Sequence, residues 1–225
     1  MHLAVVAAAK HPGTWSPLLG ATVLSIGNLD EDLSRRLSEN TPIFGSNEDA
    51  NDASDWLRDS LVASVAVTAL AMPSGENTQQ HIINKTKGLV IEVAALKVTS
   101  LATSGLKDAT DRERPNQANN KSFPSGHTSR AFAAAALTSK NLKSLSLDPG
   151  TETSIRVGLY SFATATAWAR VEANVHYATD VLAGAALGNF LSRFIHNAFL
   201  GLEYENQVII EITPKHSHLE LQWRF

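Results

Sequence analysis

Three short stretches of this chain bring together residue types that handle anions. In KSFPSGHTSR (121–130), Pro124-Ser125-Gly126-His127 runs into an alanine-rich segment. A Ser-Gly pair entering a helix leaves backbone N–H groups unpaired, and such a turn attracts anions. Ser125 adds a hydroxyl, Gly126 permits close backbone approach, and His127 has a proton to give or take. In KDATDRERP (107–115), Lys107 and Arg114 are seven residues apart. On an unbroken helix seven residues make close to two full turns, which would put both side chains on one face, about 10 Å apart. In ARVEANVHYATD (169–180), His176 and Asp180 stand at i and i+4. On one helical face Asp180 could accept one ring N–H and raise the basicity of the other nitrogen. Arg170 lies six residues before His176 and could join it only if the helix breaks between them; EAN (172–174) is a plausible break.

Each stretch alone has a plainer explanation: a capped helix with a surface histidine, a solvated helix end among Asp108, Asp111, Arg112 and Glu113, or a structural His–Asp pair. Together they contain what phosphoryl transfer needs, namely cations for the equatorial oxygens, a nucleophile and a general acid. No carboxylate cluster for a metal is among them, so no metal site and no cofactor is expected.

The elements that must position these residues read as helices. Ser46 three residues before Asp49 has the form of a capping box, followed by Leu57, Leu61, Val62 and Val65 at helical spacing. A turn-rich break at 72–80 precedes a second long helix carrying Ile82, Ile83, Leu89, Val90, Val93 and Leu96, expected to run toward Arg114 and end at Pro115. A polar loop (116–126) leads into the helix after Ser125, and LDPGTETS (147–154) is a further break. Helical segments follow at about 155–170 and 176–199, with Gly184 and Gly188 one turn apart to admit a neighbouring helix. The period-2 runs Val208-Ile210-Ile212 and Leu219-Leu221-Trp223-Phe225 predict a C-terminal β-hairpin at about 206–225. His216 and His218 in it lack a third ligand for a metal. The expectation is one domain over residues 1–225, all-α with a helical core at about 46–200 and that small hairpin.

Composition narrows the classes. An apolar content of 44 % supports a core, a net charge of −3 without basic blocks gives no case for nucleic acid, and the absence of cysteine rules out disulfides and a thiol nucleophile. The uninterrupted apolar runs, 12 residues at 61–72 among them, fall short of the roughly 20 needed to cross a bilayer. Core helices and no transmembrane segment are therefore expected. The opening MHLAVVAAAK is a poor secretory signal, because no basic region precedes its apolar run.

Lys-x6-Arg-Pro, Pro-Ser-Gly-His and Arg-x5-His-x3-Asp, in that order over residues 107–180, closely resemble the signature of the type 2 phosphatidic acid phosphatase and vanadium haloperoxidase superfamily. The third motif usually begins Ser-Arg, and Ala169 here removes a hydroxyl but no cation. The resemblance implies a helical bundle of the acid phosphatase and haloperoxidase type, and a metal-independent phosphomonoester hydrolase acting on a lipid or small soluble phosphate. By it, His176 attacks phosphorus to form a phosphohistidine while Asp180 holds its ring. His127 protonates the leaving alkoxide and then activates water. Lys107, Arg114, Arg170, Ser125 and the Gly126 N–H hold the phosphoryl oxygens. Family members without membrane helices are often periplasmic acid phosphatases, so a periplasmic or otherwise exported location is expected. The alternatives are a vanadium-dependent haloperoxidase, in which vanadate is a cofactor rather than an inhibitor, and a non-catalytic phosphate-binding envelope protein. The exact substrate and the oligomeric state are not legible in the chain.

Overall fold

The computed structural model describes residues 1–40, 42–73 and 78–201. Among these the secondary structure is helical throughout: α1 (His2–Lys10), α2 (Pro12–Leu24), α3 (Leu29–Asn40), α4 (Asn47–Ala71), α5 (Thr78–Thr110), α6 (Gly126–Lys143), α7 (Pro149–Glu172) and α8 (Ala178–Phe199). The all-α expectation agrees with this, with no strand among the described residues. The hairpin expected at about 206–225 lies outside them.

The α6 helix is the centre of the bundle, packed against α4, α5, α7 and α8. Its alanine run is fully buried and, with Leu61, Val65, Ala95, Leu137, Ala163 and Ile195, makes the core. Small side chains let helix axes approach closely, and α8 answers with glycines. A Cβ on Gly184 would lie 2.7 Å from the Ser125 carbonyl, and one on Gly188 2.1 Å from that of Ser129. Ahead of α4, α1 and α2 pack against α8, and α3 packs against α7 and α8.

Capping explains most helix starts. Ser46 and Asp49 exchange the two hydrogen bonds of a capping box, 3.1 and 3.2 Å long, at the start of α4. The α7 helix begins at Pro149, inside the expected break, because Asp148 accepts the Thr151 N–H at 3.0 Å and proline suits the first helical turn. The α5 helix stops at Thr110, short of Pro115, where Asp111 turns into the left-handed region at φ 44°.

The α5 helix also reverses the usual distribution of polarity. Its buried face is Gly88, Glu92, Ala95, Thr99 and Thr103, whereas Ile82, Ile83, Val90, Val93, Val98 and Leu101 point outward, Leu101 at 71 % exposure. An 18-residue stretch within it has a mean hydropathy of 1.5, yet only 22 % of it is buried inside the protein. By length and composition this helix can cross a membrane. The expectation of no transmembrane segment is therefore corrected. Counting uninterrupted apolar residues stops at Glu92 and Lys97; Glu92 is fully buried and does not face the apolar exterior, which leaves Lys97 as the exposed charge of the two.

Candidate active site

The Ser-Gly turn forms the N-terminus of α6. Ser125 is its N-cap; the Ser125 hydroxyl accepts from the Thr128 hydroxyl at 3.0 Å, and the Ser125 N–H donates to the Asp180 carbonyl at 2.9 Å. The Lys107 side chain passes alongside, so that a Cβ on Gly126 would stand 3.9 Å from Lys107 Cε. The Lys107 ammonium donates to the carbonyls of Lys121 and Ser122, tying the last turn of α5 to the strand of chain entering the motif.

Arg114 reaches the same place by a route different from the expected one. It is not on a helix with Lys107, since α5 has ended. The chain instead reverses through left-handed Asp111 and Gln117, with the Arg114 N–H on the Asn119 carbonyl and the Ser122 N–H on the Arg112 carbonyl, both at 3.0 Å. Arg170 occupies the last turn of α7, where it donates to Asn51 Oδ1 at 2.6 Å and Ser54 Oγ at 3.1 Å. Burial, reinforced by the Arg114 charge, brings the Arg170 guanidinium down to about 10. The Nε groups of Arg114 and Arg170 are both buried without a protein acceptor, so both retain donors for an anion.

His176 lies between α7 and α8, after left-handed Asn174. The expected break at 172–174 is thus present, and it is what lets Arg170 and His176 meet. The His176–Asp180 pair does not run along a helical face as expected. Asp180 is the N3 residue of α8, where it accepts the Tyr177 N–H at 2.8 Å, and His176 precedes the helix. His176 is 1 % exposed, and its Nδ1 sits 3.5 Å from Asp180 Oδ2. That is an ion-pair separation without hydrogen-bond geometry, and Nδ1 has no other partner. Asp180 is instead saturated by the Ser122 hydroxyl and by Arg112 at 2.8 Å. Burial alone would raise the Asp180 carboxyl, but His176, Ser122 and Arg112 together hold it below the usual range. His176 itself is pushed down to about 4, chiefly by burial; Asp180 opposes this and the Lys107 and Arg170 charges add to it.

His127, in the first turn of α6, has a carboxylate partner that no spacing in the chain announces. Its Nε2 is 2.7 Å from Asp55 Oδ1 on α4, which is also held by Arg58 at 2.7 Å. Burial and the nearby Arg170 charge lower His127 to about 4 against the pull of Asp55. The Arg170 charge is thus felt by both histidines, that of Lys107 by His176, and that of Arg114 by Arg170. The Ser125–Asp180 hydrogen bond and the passage of Lys107 beside Gly126 join the Ser-Gly turn to the other two motifs.

Sequence reasoning missed Asp55, Asn51 and Ser54, because nothing local marks them. It also read Arg112 as a solvated charge. Arg112 in fact binds Asp180, Thr179 and Asp30, with its guanidinium 4.2 Å over the Tyr177 ring. Among the described residues no three His, Asp or Glu side chains are grouped to hold a metal.

Known proteins place this arrangement. Over 102 residues the chain is 35 % identical to lipid A 1-phosphatase of Porphyromonas gingivalis. That alignment takes in 45 % of this chain but only 22 % of the relative, so the chain spans about a fifth of the relative's length. A solved structure, the first transmembrane PAP2-type phosphatidylglycerolphosphate phosphatase from Bacillus subtilis, superposes with a TM-score of 0.63 at 19 % identity, covering 87 % of this chain and all of that one. The LpxE structure from Aquifex aeolicus gives a TM-score of 0.53 at 17 % identity, covering 75 % of this chain and 95 % of that one. The Bacillus neighbour is a transmembrane protein, and its shared fold joins the outward apolar face of α5 in overturning the expectation of no transmembrane segment. The sequence profile of the PAP2 superfamily matches residues 88–203, more than half of the chain and all three motifs, and the chain belongs to that superfamily.

Proposed function

We propose that this chain is a metal-independent phosphatase that hydrolyses the phosphomonoester of a lipid at a membrane face, through a phosphohistidine. The observation that carries this reading is a buried His176 with Lys107 and Arg170 beside it and Arg114 beside both of those cations. Three cations stabilise charge on the phosphoryl oxygens as it redistributes toward the transition state, which is the work a metal does elsewhere. His176 Nδ1 faces Asp180, leaving Nε2 to attack. As the N–P bond forms and the P–O bond breaks, the leaving alkoxide takes a proton from His127, whose Nε2 faces Asp55 and whose Nδ1 is the free nitrogen. The bound phosphate offsets the Arg170 charge and so favours the protonated His127 that this step needs. His127, now neutral, then takes a proton from water as that water attacks phosphorus and releases His176. Asp55 holds the His127 ring and stabilises its charged form.

A lipid rather than a small soluble substrate is supported by two features. One is the apolar outward face of α5. The other is a cavity of about 400 Å³ lined by Trp15, Leu18, Leu106, Phe123, Pro124 and Phe190. Two of these lining residues, Leu106 and Pro124, are the chain neighbours of Lys107 and Ser125. The full 225 residues act as one domain in this reading, and its exported location is tested by labelling a cysteine at exposed Asn119 with an impermeant maleimide in whole cells.

The test of function uses protein purified in detergent, with short-chain phosphatidic acid and p-nitrophenyl phosphate in the presence of EDTA. Phosphate release from both and an acid-labile phosphoenzyme are expected. Loss of activity in EDTA with rescue by magnesium or zinc overturns the metal-independent reading. Bromide oxidation requiring vanadate and peroxide, with no phosphate release, assigns the haloperoxidase alternative, and phosphate binding without turnover assigns the binding protein.

A further inference from the structure

The α3 helix carries a polar stripe, Asp30, Ser34 and Ser38, spaced four residues apart and turned inward rather than to solvent. Each member bonds to the segment that contains His176. The Ser38 hydroxyl donates to the Glu172 carbonyl at 3.0 Å, Ser34 Oγ accepts the Ala178 N–H at 2.8 Å, and Asp30 Oδ1 accepts the Thr179 N–H at 2.8 Å. Asp30 does one thing more. Its Oδ2 accepts from the Thr179 hydroxyl and, at 2.8 Å, from Arg112, whose other terminal nitrogen is 2.8 Å from Asp180. One guanidinium is therefore shared between two buried carboxylates, only one of which faces His176.

We propose that Asp30 is a positioning residue for His176, acting through Arg112 on Asp180. An Arg112 devoted to Asp180 alone would neutralise it. Divided with Asp30, it orients Asp180 while leaving that carboxylate enough negative charge to stabilise the imidazole as it becomes cationic on attacking phosphorus. The charged groups around His176 are Asp180 from α8, Lys107 from α5, Arg170 from α7 and Arg112 from the α5–α6 connection. His127 of α6 lies beyond Arg170, and Asp30 of α3 lies behind Arg112.

The inference rests on the phosphatase reading, and its test separates the two. Asp30→Asn keeps an acceptor for Thr179 and removes the charge. It should lower kcat by about 10- to 100-fold, the range that loss of an outer partner costs a histidine held at a metal, with KM unchanged. In ¹⁵N-histidine spectra of the full chain, a readout independent of turnover, the His176 pKa should move down because Asp180 is then more fully neutralised. Arg112→Gln should move it up, and adding Asp30→Asn to Arg112→Gln should produce little further shift, because the path is already cut. Ser34→Ala, which loses only the Ala178 contact, should lower Tm without moving that pKa. Wild-type protein that neither releases phosphate nor forms a phosphohistidine sinks the phosphatase reading and leaves the spectroscopic test standing. An Asp30→Asn protein with an unchanged His176 pKa overturns the positioning role, whatever happens to its stability or rate.

Discussion

The surroundings of the two histidines differ in a way that matches different tasks. His176 is sealed, with a carboxylate 3.5 Å away that is already bonded to Ser122, Arg112 and the Tyr177 N–H. His127 is more open, its side chain 26 % exposed, and holds a direct 2.7 Å contact to Asp55, a carboxylate that is itself 44 % exposed. A nucleophile has to be kept uncharged and dry, with a fixed counter-charge waiting for the cation that forms on attack. A group that passes protons between a leaving alkoxide and water needs access to water and a partner that follows its change of charge. Sealing serves the first and partial exposure the second, even though both imidazoles are lowered to about 4, in each case chiefly by burial and further by the Arg170 charge.

The largest effect should come from His176→Ala. It should remove both turnover and covalent labelling, a loss on the order of 10⁵–10⁶-fold, as when a nucleophile acting in a coupled set is deleted. A phosphohistidine surviving at position 127 would reverse the contrast.

The next effect concerns His127. Its replacement by alanine should slow an alkyl phosphate by about 10²–10⁴-fold and p-nitrophenyl phosphate much less, because nitrophenolate leaves without a proton. Asp55→Asn should fall between wild type and His127→Ala and move the alkaline limb of kcat to lower pH, since losing the Asp55 charge makes protonated His127 less stable. Equal losses on the two substrates would show that His127 does something other than protonate the leaving group.

The smallest effect is on stability against pH. His176 has a folded pKa of about 4, below its ordinary 6.5, so the unfolded chain takes up a proton on acidification before the folded one does. Its contribution to stability is full above about pH 6.5 and is lost as the pH falls toward about 4, by an amount on the order of 3 kcal/mol. Thermal unfolding in detergent should show Tm falling over that window in the wild type, with a shallower fall in His176→Gln. Parallel curves would mean that His176 is less sealed than the comparison with His127 requires.

How far the chain could be read depended on how local each signal was. The capping box at Ser46, the Ser125 cap, the break before His176 and the glycines of α8 are short-range patterns, and all are present in the structure. The three motifs specified residue types that only phosphate chemistry uses together, so the family and the candidate residues were visible without coordinates. Tertiary structure decided the rest. Arg114 joins Lys107 through a reversal at Asp111 and Gln117 that helical periodicity could not foresee. Asp55 meets His127 across 72 residues, and Asp30 meets Arg112 across 82, with no spacing rule to connect either pair. The outward face of α5 was hidden because Glu92 breaks an apolar run in one dimension while pointing inward in three. A sequence pattern records which groups are chemically capable. Which of them are buried together, and so share charge and protons, depends on the packing of α3, α4 and α8 around the motifs, because electrostatic interactions strengthen only where water is excluded.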